Sequence, residues 1–120
     1  MTDTPPTRVV HRDDPDCEVY IGRGSPWGNP WSTKPSRHPV TRVATVEQAI
    51  NSYAAWVVTQ PHLMAMLPSL RGKALGCFCK QPARPDAPCH GDVLATLADG
   101  GTWTPLHEPQ PAQTQMDLKP

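Results

Sequence analysis

The sequence predicts a small α/β (or α+β) domain. Three observations carry that prediction: short β-branched runs that end in glycine or cysteine, amphipathic stretches at helical spacing, and proline-rich segments that interrupt both. A chain of 120 residues has room for one hydrophobic core, near the lower range at which a single core suffices. The expected layout is an N-terminal arm with a first strand over residues 1–16, one α/β domain over 17–103 and a Pro/Gln-rich tail over 104–120. The sheet is expected to hold about three or four strands, flanked by about two or three helices.

Residues 7–12 (TRVVHR) read as the first strand and 18–23 (EVYIGR) as the second, with Asp13, Asp14 and Pro15 turning the chain between them. Cys17, far in sequence from the other cysteines, reads as a packing residue. Residues 22–42 (GRGSPWGNPWSTKPSRHPVTR) then run without periodicity, and so long a loop in a compact domain usually carries function. Gly22, Gly24 and Gly28 permit close backbone approach or positive φ, Arg23 has the fork that matches phosphate or carboxylate, and Asn29 offers both donor and acceptor. Trp27 and Trp31 present faces on which a flat ring can stack, or equally a roof for the core. The loop matches neither the P-loop nor the dinucleotide fingerprint.

Thr45 with Gln48 forms a capping-box pattern, and Val46, Ile50, Tyr53 and Val57 then share one helical face. That stripe, Tyr53 included, is expected in the core. Pro61 ends this helix and opens another, in which Leu63, Met66, Leu67 and Leu70 face inward before Arg71 and Gly72 close it. Residues 73–79 (KALGCFC) read as a buried strand, on which alternation puts Cys77 and Cys79 on one face. Beyond a proline-rich loop, Cys89 and His90 precede Asp92, Val93, Leu94, Leu97 and Ala98, whose spacing predicts a helix. From Thr104 onward the chain has little apolar surface to bury and is expected to be extended or disordered.

Cys77, Cys79, Cys89 and His90 are the chemically richest cluster in the chain. Three readings of it stay open. They make a Cys3His set for zinc, although C-x-C and adjacent Cys-His are less usual spacings for one ion. They supply reactive thiols, with Cys89 activated at a helix start beside His90, or Cys77 and Cys79 cycling as a redox pair. Or the cysteines are small core residues and His90 a polar cap.

If 18–23 and 73–79 are parallel neighbours, their C-terminal ends bring the glycine-arginine loop and the cysteine loop to the same sheet edge. Open α/β sheets bind ligands at that edge.

Eleven basic and eleven acidic residues cancel, so no net field draws the chain to nucleic acid or to an anionic membrane; a local basic patch stays open, and with it a nucleic-acid partner that the net charge does not favour. No apolar run approaches the ~20 residues of a membrane span. The opening MTDTPPTRVV lacks the pattern of a secretory signal, so the four cysteines are expected as thiols in a reducing cytoplasm rather than as disulfides.

VYIGRGSPWGNPW, INSYAAWV and LRGKALGCFCK with PCHGDVLATLA together resemble a family of short proteins frequent in bacteriophages and actinobacteria, a domain of unknown function. The resemblance spans about residues 19–98. Its motif positions here are Gly22, Arg23, Trp27, Gly28, Asn29, Pro30, Tyr53, Trp56, Gly72, Lys73, Cys77, Cys79, Cys89, His90, Gly91 and Asp92. The segment KQPARPDAP between Cys79 and Cys89 looks longer than the family's, and the resemblance implies a phage-type accessory protein in the cytoplasm of a bacterial host.

The resulting expectation is a site for a phosphate-bearing or nucleotide-like small molecule. Arg23 and Lys73 would meet the anion, Asn29 and Asp92 would orient sugar or base, and the helix start at His90 and Gly91 would donate N–H groups, with Gly22, Gly24 and Trp27 completing the site. If the site is catalytic, Cys89 is the candidate nucleophile and His90 the candidate acid/base. The rival reading is a zinc-stabilised protein-interaction module held by Cys77, Cys79, Cys89 and His90.

Overall fold

Five strands and three helices follow one another in the computed structural model, which describes residues 5–78, 80 and 87–107. β1 (Arg8–His11) and β2 (Val19–Tyr20) come first, then β3 (Trp31–Ser32) and β4 (Thr41–Arg42). α1 (Val46–Val57), α2 (Pro61–Met66) and a 3-10 turn (Leu67–Leu70) lead into β5 (Ala74–Cys77) and α3 (His90–Ala98). The main sheet is parallel in the order β1-β5-β2, with Val9 opposite Leu75 and Val19 opposite the same residue from the other side. β3 and β4 pair separately, so the long loop expected to lack structure carries a small parallel ladder of its own.

β5 is buried along its whole length, as a central parallel strand must be. Alternation splits it. Leu75 and Cys77 join Val93, Leu94 and Cys89 of the α3 side in the core, whereas Gly76 lies against Cys17, which confirms the packing role read for that cysteine. α3 therefore covers one face of the sheet, and α1 packs against α3.

α1 begins as its sequence requires. Thr45 Oγ1 accepts from the Gln48 N–H at 3.0 Å, and Gln48 Oε1 reaches back to the N–H of Ala44, one residue before the cap, at 3.0 Å. Ile50, Tyr53 and Val57 are buried as the stripe predicts, with Ala49 beside them, but Val46 is exposed because the first turn stands at the rim of a cleft. The second helix is shorter than its pattern: after Met66 it tightens into the 3-10 turn that Pro68 enters. That change of pitch turns Met66 outward, 41% exposed, while Leu63, Leu67 and Leu70 stay inside.

Two clasps close the domain. Thr7 donates through its backbone N–H and its hydroxyl to the Asp99 carboxylate, at 3.0 and 2.6 Å, and its hydroxyl oxygen accepts from Gly72 N–H at 2.7 Å. Asn51 holds the backbone of Leu106 in both directions, at 2.8 Å each way. Leu106 is thus tied to α1, two residues beyond the expected break at Thr104, because the Asn51 amide satisfies a backbone pair as a neighbouring strand would. The remainder of the expected tail lies outside the described residues. Among the described residues no helix is long and apolar enough to cross a membrane.

Candidate functional site

At the C-terminal ends of β2 and β5 the two chemically loaded segments meet across a cavity of about 660 Å³. Gly22, Arg23, Asn29 and Trp31 line it from the first loop, and Cys77, Pro88, Cys89 and His90 from the second segment. The parallel pairing of β2 with β5 causes this, since it sends both strands' following residues to one edge.

The first loop is held by its own polar groups. Arg23 donates from Nε to the Asn29 carbonyl at 3.0 Å and from Nη2 to the Trp31 carbonyl at 2.8 Å. Asn29, buried, donates from Nδ2 to the Ala49 carbonyl at 3.2 Å and accepts the Trp31 N–H at 2.9 Å. The Tyr53 hydroxyl donates to the Trp27 carbonyl at 2.9 Å, and burial, with Cys89 next to it, pushes that phenol well above its usual range. Gly28 allows the loop to double back, for a Cβ there would stand 2.9 Å from Arg23 Cα and 3.1 Å from the Gly22 carbonyl oxygen. Arg23 and Asn29 are therefore first of all the frame of the loop, and only their remaining surface faces the cavity.

The sulfur segment is equally ordered where it is described. Cys89 is the N-cap of α3: its Sγ accepts from Gly91 N–H at 3.3 Å, and its own N–H donates to Asp92 Oδ2 at 3.1 Å. Cys77 Sγ lies 2.8 Å from Cys89 Sγ, the two being 1% exposed each. His90 Nε2 is 2.7 Å from the Ile21 carbonyl oxygen. A carbonyl only accepts, so Nε2 carries the proton in the neutral ring and Nδ1, 3.8 Å from Cys89 Sγ, keeps its lone pair toward the thiol. Burial pulls the His90 pKa down, against the opposing effect of the Ile21 hydrogen bond and of Cys77.

Several expected site residues lie elsewhere. Lys73 immediately precedes β5, at the end of the strand opposite to Cys77, so it is not at this edge. Trp27 is in the core at 3% exposure, while Trp31 lines the cavity edge-on to Trp56. Gly24 adopts φ 97° and sits beside His38. Gly91 is packed under Val9 and Ile21, and its N–H is already engaged by Cys89, so it does not aim at the cavity. Asp92 binds Lys80 Nζ at 3.1 Å and caps α3. Cys79 lies outside the described residues, so the four-residue cluster is seen only as Cys77, Cys89 and His90. Among the described residues no three His, Cys, Asp or Glu side chains are arranged to hold a metal ion.

The cavity wall also contains residues that the sequence reading missed: Arg12, Tyr20, Arg37, His38 and Phe78. Arg12 lies over the Tyr20 and Phe78 rings at 5.3 and 5.2 Å, which fixes its guanidinium at the rim. Arg12 and Phe78 each stand one residue past the end of a parallel strand, and that position was the available signal. Arg37 and His38 come from the proline-rich stretch between β3 and β4, where only their charge marked them. No Asp or Glu is among the described residues of the wall.

A three-stranded parallel sheet with an arginine- and thiol-lined cleft at its C-terminal edge defines a small α/β domain. More particularly, the chain belongs to the family described as a domain of unknown function (DUF4326), which it matches over residues 7–100. It is 33% identical over 92 residues to an uncharacterised 12.4 kDa protein from the nrdA-td intergenic region of Enterobacteria phage T4, covering 77% of each chain. It is 30% identical over 95 residues to an uncharacterised protein of Acanthamoeba polyphaga mimivirus, covering 68% of this chain and 67% of the other. No solved structure matches it.

Proposed function

We propose that this domain binds a phosphate-bearing, nucleotide-like small molecule in the cleft between the GRGSPWGNP loop and the Cys77–His90 segment. One observation carries the reading. In a chain whose charges cancel, this wall gathers Arg12, Arg23, Arg37 and His38 with no described acidic residue, a distribution that favours an anion. Tyr20, Trp31 and Phe78 add ring faces and Ser32, Thr33 and Ser36 add hydroxyls, the mixture that orients a ring and a sugar. The volume, about 660 Å³, falls among those of small-molecule pockets. Arg12 and Arg37 take the anion-binding role that the sequence suggested for Lys73. If binding leads to turnover, Cys89 is the nucleophile and His90 Nδ1 its base, held by the Ile21 carbonyl.

Thermal shift and titration calorimetry with a panel of mononucleotides, the matching nucleosides and inorganic phosphate test the reading. Mononucleotides are expected to stabilise the protein more than either part alone. Arg37→Ala, an exposed position, is expected to abolish the response with an unchanged melting point of the free protein. Arg23→Ala is a poorer probe, since it also removes two loop hydrogen bonds. No stabilisation by any mononucleotide, or an undiminished response in both Arg37→Ala and Arg12→Ala, refutes the proposal.

A second reading, the zinc-stabilised module, draws support from the Ile21 carbonyl behind His90. A metal-binding imidazole commonly donates its distal N–H to such an acceptor. Zinc would engage Cys77, Cys89 and His90 Nδ1, with Cys79 as the fourth donor. Elemental analysis of untagged protein separates the readings: one zinc per chain that survives dialysis supports the module or a metalloenzyme, with unfolding by a chelator pointing to the module, whereas no metal together with stabilisation by mononucleotides supports the small-molecule site.

A further inference from the structure

We infer that Cys77 and Cys89 are a reversible dithiol–disulfide pair, closed by hydroperoxide that enters through the cleft. The two sulfurs come from different elements, the end of β5 and the N-cap of α3, yet they stand 2.8 Å apart. Each residue is fixed by the core it belongs to, so the apposition does not depend on loop movement. Both are 1% exposed, but both line the cavity, which leaves the cleft as the route of approach and favours a small oxidant. Cys89 Sγ also accepts the Gly91 N–H at the start of α3, which holds the sulfur in place beside Cys77. The inference holds for any small molecule in the cleft and excludes zinc on these two sulfurs.

The chemistry balances with hydrogen peroxide as the oxidant. The Cys89 sulfur attacks one peroxide oxygen and the O–O bond breaks. The departing hydroxide takes the thiol proton and leaves as water, and Cys89 becomes a sulfenic acid. Cys77 sulfur then attacks Cys89 Sγ, the S–O bond breaks, and hydroxide leaves with the Cys77 proton as a second water. Two thiols have lost two electrons and two protons, and one peroxide has become two waters. A dithiol reductant reverses the bridge by exchange. Closure ties the central strand to the helix that covers it and withdraws Cys89 from any nucleophilic role.

The test uses the full chain, reduced, treated with one equivalent of hydrogen peroxide, alkylated, digested and mapped by mass spectrometry. The expected result is the loss of two hydrogens, a peptide joining Cys77 to Cys89, and full reversal by dithiothreitol. Cys17→Ser leaves this unchanged, whereas Cys77→Ser stops Cys89 at a sulfenic acid that dimedone captures. A bridge made through Cys79 instead, sulfinic acid on Cys89 without a bridge, an unchanged thiol titre, or zinc retained with the thiols protected overturns the inference. Should Cys77→Ser fail to fold, the wild-type map decides alone.

Discussion

His90 is a buried imidazole whose proton sits toward a backbone carbonyl and whose lone pair sits toward a thiol. Its burial gives a pH dependence with a definite sign. The folded pKa lies below that of the unfolded chain, so acidification protonates the unfolded state first and draws the equilibrium toward it. The contribution is complete above the unfolded value of about 6.5 and is lost progressively as pH falls below it. Melting temperature is therefore expected to drop between about pH 7.5 and about pH 5.5, and His90→Gln to flatten that part of the curve. A slope identical in the variant would show that other groups set it. The pairing of Cys89 with His90 at a helix start was legible from spacing alone. The partner of His90 was not, because Ile21 lies 69 positions away and only the β2–β5 register brings its carbonyl there.

Among the elements, β5 bears the strictest packing demand. A Cβ on Gly76 would collide with Cys17 Sγ and stand 3.0 Å from Arg12 Cα, in a strand with neighbours on both edges. Gly76→Ala is expected to cost about 1–3 kcal/mol of stability, the usual range for overpacking. Removing the opposing sulfur with Cys17→Ala should recover part of it, read as a coupling in a double-mutant denaturation cycle. Strict additivity of the two changes would mean that backbone strain, not the sulfur contact, sets the cost. Helices were the most readable elements here: Thr45, Pro61 and Cys89 stand at or next to the starts of their helices, as local chemistry dictates. The β3–β4 ladder was unreadable because its strands are two residues each, too short for alternation to register. The docking of Leu106 was hidden for a similar reason, since one Asn51 side chain makes it.

For the whole molecule, cancelling charges left room for a local basic patch, and the cleft is where the basic side chains gather. Tyr20, Trp31 and Phe78 share that wall with Arg12, Arg23, Arg37 and His38; Asp92 and Asp99 are engaged elsewhere, and Asp13 pairs with Arg12 at 3.5 Å from outside the wall. Arg12 and Arg37 are exposed, so their attraction for an anion is screened by salt. Under the proposed function, mononucleotide affinity is expected to weaken several-fold between about 0.05 and about 0.3 M sodium chloride. A salt-independent affinity would place the binding energy in the rings instead. The sheet order also governs how the molecule comes into being. Among the described residues β1 and β2 are not paired with each other, and each pairs in the main sheet with β5, which follows them by more than fifty residues. A nascent chain leaving the ribosome therefore carries two orphan edges until residue 77 has emerged, and it gains its lid only with α3. The main sheet therefore forms late, and a fragment cut before residue 74 keeps at most the short β3–β4 ladder.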